Sequence, residues 1–185
     1  MIGLLSKVYK KLHIIQNIYL KNKFFLEKKS YSMEGEDLEL LRITKNINQG
    51  FYVDAGCYHP LHLSNTFLLH KKKWSGLNID LSEFTIDLFN YMIPNDVNVH
   101  SAISNSEKEV IVYHQKKISQ LTTIKKSIAQ ERMQGPIKEK KMISKKLTTI
   151  LNDSKFCNRK IDFLNIDLEG ADMSALQSLD FEIYR

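Results

Sequence analysis

Three apolar runs in this chain each end in a carboxylate. Phe51-Tyr52-Val53 runs into Asp54, Leu77-Asn78-Ile79 into Asp80, and Phe163-Leu164-Asn165-Ile166 into Asp167. Short runs of aromatic and aliphatic residues bounded by turn residues predict buried strands, and Gly56 and Gly170 supply the turns after two of them. Val97 to Ala102 reads as another strand, and the alternation over Glu109 to Tyr113 as an added strand or hairpin arm. Helical stretches separate these runs. Ser32 caps an acid-rich first turn ahead of Leu38, Leu40, Leu41 and Ile43, and Ser64 caps Phe67 to Leu69, which ends in His70 and three lysines. Strands alternating with helices predict an α/β fold whose sheet has helices on both faces. Trp74 falls to the core.

The first 30 residues carry a different pattern. Leu4, Leu5, Val8, Leu12, Ile15, Ile18 and Tyr19 recur at helical spacing, with Lys7, Lys10, Lys11 and Lys21 mostly off that stripe. The spacing predicts a basic amphipathic helix over 1–30. Its longest uncharged run, Leu12 to Leu20, is far short of the roughly 20 residues a bilayer span needs, and no small-residue cleavage site follows. Such a helix either lies on an anionic membrane surface or docks its stripe on the domain or a partner chain.

Composition changes the picture in one respect. The chain has 185 residues, 43% of them hydrophobic and 10% aromatic, enough for one cored domain, so 31–185 is read as a single unit. The net charge of +6 is uneven: residues 1–30 hold seven Lys and one Glu, and residues 116–146 hold nine Lys, one Arg and two Glu. The remaining body is acidic. The second basic segment is nearly bare of aromatics, so a nucleic-acid partner is not expected. Residues 116–146 read as a solvated, partly helical insertion turning at Gly135-Pro136, with a mobile flap as the alternative. Two cysteines, Cys57 and Cys157, give neither a disulfide framework nor a zinc spacing. The expected location is cytoplasmic, at the inner face of the membrane where the helix binds lipid.

The chemistry gathers at the carboxylate ends. A strand, a glycine turn, a helix and a second strand ending in an acid is how an α/β fold seats the ribose of a nucleoside cofactor. Gly56 is followed by Cys57, Tyr58, His59 and Pro60 with no second glycine, so a pyrophosphate is poorly served. S-adenosylmethionine suits this turn: Asp80 faces its ribose diol, Asp54 its methionine end, and Ala102 its adenine. The plain alternative is that Asp54 and Asp80 only cap strand ends. Glu36 or its neighbours reach toward the same pocket. Asp167 and Glu169, before Gly170, can position a sugar hydroxyl, accept its proton or hold a divalent metal. His59 or His62, in the loop after the first strand, can serve as a base.

These motifs resemble the FkbM family of S-adenosylmethionine-dependent methyltransferases. The resemblance rests on Tyr31-Ser32-Met33-Glu34-Gly35-Glu36-Asp37, Phe51 to Gly56, His59-Pro60, Ser64-Asn65-Thr66, Trp74-Ser75-Gly76, Asn78-Ile79-Asp80 and Ile161 to Gly170. It implies a Rossmann-like methyltransferase acting on oxygen, often a saccharide or glycoside hydroxyl, in bacteria often in surface polysaccharide biosynthesis. Asp54, Gly56 and Asp80 match the cofactor positions, Asn65 and Thr66 the methionine end, and Asp167 and Glu169 the signature that closes the site. Met33 stands where the family often has Gln, and Cys57 where a small aliphatic is common. The family sheet continues beyond the equivalent of Asp180 to Arg185, so this chain is expected to be truncated after the fourth core strand, with a homo-oligomer or partner chain completing the sheet. Two functions follow: an O-methyltransferase, or a catalytically inactive fragment acting as a cofactor-binding interaction module.

Overall fold

The carboxylate-ended runs lie side by side. The computed structural model describes residues 2–185; Met1, the first residue of the expected 1–30 helix, lies outside them. In chain order the elements begin with α1 (Ile2–Ile15), a π-helical turn (Gln16–Lys21), α2 (Glu36–Ile43), β1 (Phe51–Ala55) and α3 (Phe67–Lys71). Next come β2 (Ser75–Asp80), α4 (Glu83–Met92), β3 (Val97–His100), β4 (Ala102–Ile103) and β5 (Glu109–His114). The remainder is α5 (Lys126–Arg132), β6 (Lys138–Lys145), α6 (Leu147–Asn152), β7 (Phe163–Ile166), α7 (Asp172–Leu176) and α8 (Phe181–Tyr184).

The main sheet has the order β3-β2-β1-β7, all parallel. Every residue of β1 is buried, as both faces of a central parallel strand must be. Phe51, Val53 and Ala55 join Leu77 and Ile79 in one apolar cluster with Leu147, Ile150 and Leu151 of α6, Ala175 of α7 and Tyr184 of α8. The opposite face carries Tyr52, which packs with Leu40 of α2, Leu69 of α3 and Trp74. The fold is therefore a parallel sheet between helices, as a Rossmann-like methyltransferase requires. The outer edge of β7 has no strand partner among the described residues, and all four of its residues are partly exposed.

On that second face the register aligns four polar side chains. Asn165 of β7 pairs with Asp54 of β1, Asp54 with Asn78 of β2, and Asn78 with Asn98 of β3. Asn78 donates to Asn98 Oδ1 at 2.8 Å, and Asn165 Nδ2 donates to Asp54 Oδ1 at 2.9 Å. Asp54 and Asn78, the buried members of the row, each bond a partly exposed neighbour in it.

A second sheet has the order β4-β6-β5. The strand expected over Val97 to Ala102 splits. It ends at His100, the Ser101 amide donates to the Asp80 carbonyl, and Ala102–Ile103 crosses to pair with Ser144 and Lys145 of β6. The Lys-rich segment 116–146 supplies α5 and β6, the latter antiparallel to β5 and largely exposed.

The N-terminal helix docks by only part of its length. Ile14 and Ile18 are buried against α4 and its neighbours, His13 stacks on Phe84 with ring centroids 4.5 Å apart, and Lys10 pairs with Asp87 at 2.6 Å. Leu4, Leu5, Val8 and Leu12 of the expected stripe stay exposed. No helix among the described residues is long and apolar enough to cross a membrane.

Candidate functional site

The carboxyl ends of β1, β2 and β7 open into a cleft of about 640 Å³, open solvent at its mouth included. Of the residues expected at a cofactor site, Asp54, Gly56, Asn65 and Asp80 line it, together with Asp167 from the end of β7. Open α/β sheets place their ligands here, outside the carboxyl ends of the strands.

Asp80 is held by two backbone amides. Its Oδ2 accepts the Tyr58 amide at 2.9 Å and its Oδ1 the Ser82 amide at 2.7 Å. Burial pushes its carboxyl up to about 6; the two amides oppose that shift and the Asp54 charge adds to it. One lone pair on each oxygen remains for a further donor, which is what a vicinal diol supplies. Leu81, next along the chain, adds an apolar wall to the cleft.

Asp54 is 2% exposed. Thr66 donates to its Oδ2 at 2.7 Å and Asn165 to its Oδ1 at 2.9 Å. Burial raises its carboxyl above the usual range, opposed by those two bonds. Thr66 itself does not line the cleft; it acts through Asp54. Asn65 Nδ2 donates to Asn165 Oδ1 at 3.4 Å, so the β7 asparagine ties β1 to the loop before α3.

Gly56 has φ +86, and a Cβ built on it would stand 1.9 Å from the Asp167 carbonyl oxygen. Glycine is demanded here by the closeness of β7's end to the first turn. Its amide donates to the Ile79 carbonyl at 2.8 Å, closing the turn on β2. Cys57, also in the turn, is buried with its thiol pushed well up, so it is no nucleophile.

Besides Thr66, the expected site residues Glu36, Ala102, His59 and Glu169 fall outside the cleft's lining. Glu36 is exposed, and its Oε2 accepts the Glu34 amide at 2.8 Å; the buried acid is the next one, Asp37, which accepts from the Tyr31 amide and the Ser30 and Ser32 hydroxyls. Ala102 is fully buried in the second sheet, because the chain leaves the main sheet before it. His59 is 2% exposed with both ring nitrogens engaged: Nδ1 accepts the Leu61 and His62 amides at 3.0 Å, leaving Nε2 to donate to Asn17 Oδ1 at 2.8 Å. Burial, then the charges of His62, Lys21 and Lys28, lowers it to about 3, so it stays neutral and fastens the π-helical turn to the loop. Glu169 sits at φ +46 and turns to Arg132 of α5, with Oε2 to Nη1 at 2.5 Å.

Asp167 and Glu169 thus diverge, and Asp172 is spent on the Leu168 and Gly170 amides. Among the described residues no group of three or more His, Cys, Asp or Glu side chains is placed to hold a metal ion. Asp167 keeps a carboxylate at the mouth that is only partly desolvated; that desolvation and the Asp172 charge raise it above its usual range, against the pull of Arg132.

Sequence reasoning missed Asn165 as a site residue, and Ser119, Gln120 and Thr122, which reach the cleft from the Lys-rich segment. Asn165 had a signal, a lone amide inside an apolar strand. The other three had none. The Ser82 hydroxyl, which also caps α4, donates to the Lys117 carbonyl and holds that segment over the end of β2.

A family model described as the Methyltransferase FkbM domain matches residues 54–185, from Asp54 through β7 and beyond. No curated protein and no solved structure matches the chain.

Proposed function

The chain belongs to the FkbM methyltransferase family, and from that premise we propose that it transfers a methyl group to a hydroxyl of a saccharide or glycoside, in the setting of surface polysaccharide biosynthesis. Family membership implies S-adenosylmethionine as the donor. The observation that carries the reading is Asp80: a carboxylate at a strand end, inside a cleft, oriented by two amides and left with acceptor capacity on both oxygens.

The residues present fit that donor. Asp80 would hold the ribose diol and Leu81 would face the adenine, while Gly56, Asn65 and Asp54 would meet the methionine end. When bound, S-adenosylmethionine supplies an electrophilic methyl group on a sulfonium. Asn165 and Thr66 keep Asp54 from turning away. Asp167, at the mouth, accepts the proton of the acceptor hydroxyl; its raised affinity for a proton suits it to the task better than an ordinary surface carboxylate. A polyhydroxyl acceptor is supported by the polar rim of Asn65, Ser119, Gln120 and Thr122 around that carboxylate.

Calorimetric titration with S-adenosylhomocysteine tests the donor half. Micromolar binding, about −8 kcal/mol, is expected for the wild type. Asp80→Ala should weaken it roughly a hundredfold, the worth of two charge-assisted hydrogen bonds. Equal binding by both chains would remove Asp80 from the site. Saturable binding without methyl transfer to any saccharide would leave a cofactor-binding interaction module.

A further inference from the structure

Helix α1 presents two faces of different character. His13, Ile14 and Lys10 engage α4, whereas Leu4, Leu5, Val8 and Leu12 are 70, 64, 50 and 59% exposed. At the α-helical advance per residue these four leucine and valine side chains fall within one arc of about 100°. Lys7 and Lys11 border that arc, are exposed, and form no ion pair with any described residue. The chain then exposes Phe25 and Leu26, at 68 and 49%, between further lysines. A contiguous exposed apolar face rimmed by charge marks a contact surface.

We propose that this face of α1 binds the surface of an anionic lipid bilayer, its apolar side chains among the acyl chains and Lys7 and Lys11 against headgroup phosphates. Charge selects the occupant. Residues 1–30 hold seven Lys and one Glu, so the same face of a second copy would set like charge against like, whereas an anionic leaflet complements it. Helix length selects the pose: α1 has 14 residues and cannot cross, so it lies in the plane of the interface. The docked residues Ile14 and Ile18 anchor the helix while the other face remains open. The segment lies outside the matched family region, and the inference does not depend on the identity of the methyl acceptor.

Co-sedimentation of the full chain with vesicles tests this. Phosphatidylcholine vesicles containing about one third phosphatidylglycerol should bind it at least tenfold more tightly than pure phosphatidylcholine, with the difference shrinking as salt is added. Leu5→Glu/Val8→Glu should abolish binding. Lys7→Glu/Lys11→Glu should weaken it by roughly fivefold or more for each lysine removed. Both pairs are exposed, so the thermal transition should not move. As a second readout, tryptophan placed by Val8→Trp should shift its emission to shorter wavelength with anionic vesicles and not with neutral ones. Absence of binding to anionic vesicles, or undiminished binding by Leu5→Glu/Val8→Glu, overturns the proposal. So does a wild-type dimer in light scattering that the same variant dissociates while no vesicle binding is seen, which would assign the face to a second copy.

Discussion

On one side of β1, Phe51, Val53 and Ala55 meet the leucines and isoleucine of α6; on the other, Asp54 meets Thr66 and Asn165. The first side is held by volume, since any well-fitting apolar side chain keeps it dry. The second is held by pairing, and each partner lost leaves a desolvated polar atom behind. Asn78 shows how finely that side is balanced: its amide nitrogen is bonded, but its buried Oδ1 has no partner among the described residues. The cleft opens on the paired side, where carboxylates already exist with their orientation fixed. An apolar face could offer a ligand shape but no recognition of its hydroxyls.

Leu77→Ala breaks the volume-held side and should cost about 2–5 kcal/mol in chemical denaturation, without changing the affinity of the folded fraction for S-adenosylhomocysteine. On the paired side the chemistry of the substitution should matter more than its size. Asp54→Ala should cost about 1–3 kcal/mol by stranding Thr66 and Asn165. Asp54→Asn should cost less than about 1 kcal/mol, because the Thr66 hydroxyl can turn to accept while Asn165 still donates. Equal losses in the two Asp54 variants would show that pairing is not what holds that side.

Acid sharpens the comparison, because it moves only the paired side. Asp80 takes up its proton near pH 6 when folded and near the ordinary carboxylate value, about 4, when unfolded. Between these values the folded state binds more protons, so this group's contribution makes stability rise as pH falls from about 6 to 4. Affinity for S-adenosylhomocysteine should fall over the same interval, about tenfold per unit, since a protonated Asp80 no longer accepts from both hydroxyls. Parallel titrations by calorimetry and thermal melting would show the two trends diverging. Tyr52→Phe, which removes the 2.7 Å bond to Asp96, should cost about 1 kcal/mol in denaturation.

The strands were legible because apolar runs ending in Asp54, Asp80 and Asp167 carry their own boundaries. Ala102 was misplaced because the break at Ser101 depends on β6, more than 40 residues later in the chain, drawing Ala102 and Ile103 away. Glu36 and Asp37 sit side by side at a helix start, and composition does not say which one turns inward; three donors around Asp37 decide it. His59 was visible as a loop histidine, but its partner Asn17 lies on a separate helical turn. Glu169 followed the motif in position and departed from it in direction, through a left-handed backbone that only the fold reveals.

The pairing of Asp54 with Asn165 spans 111 residues of chain. A ribosome adding roughly 5–20 residues per second delivers β1 well before the strand that covers its second edge, a delay of roughly 5–20 s. During that interval β1 can pair with β2 while its other edge faces the crowded interior of the cell as an open template. The order of synthesis therefore leaves β1's second edge open to misassembly until β7 arrives, and makes closure by β7 a late event in the protein's birth.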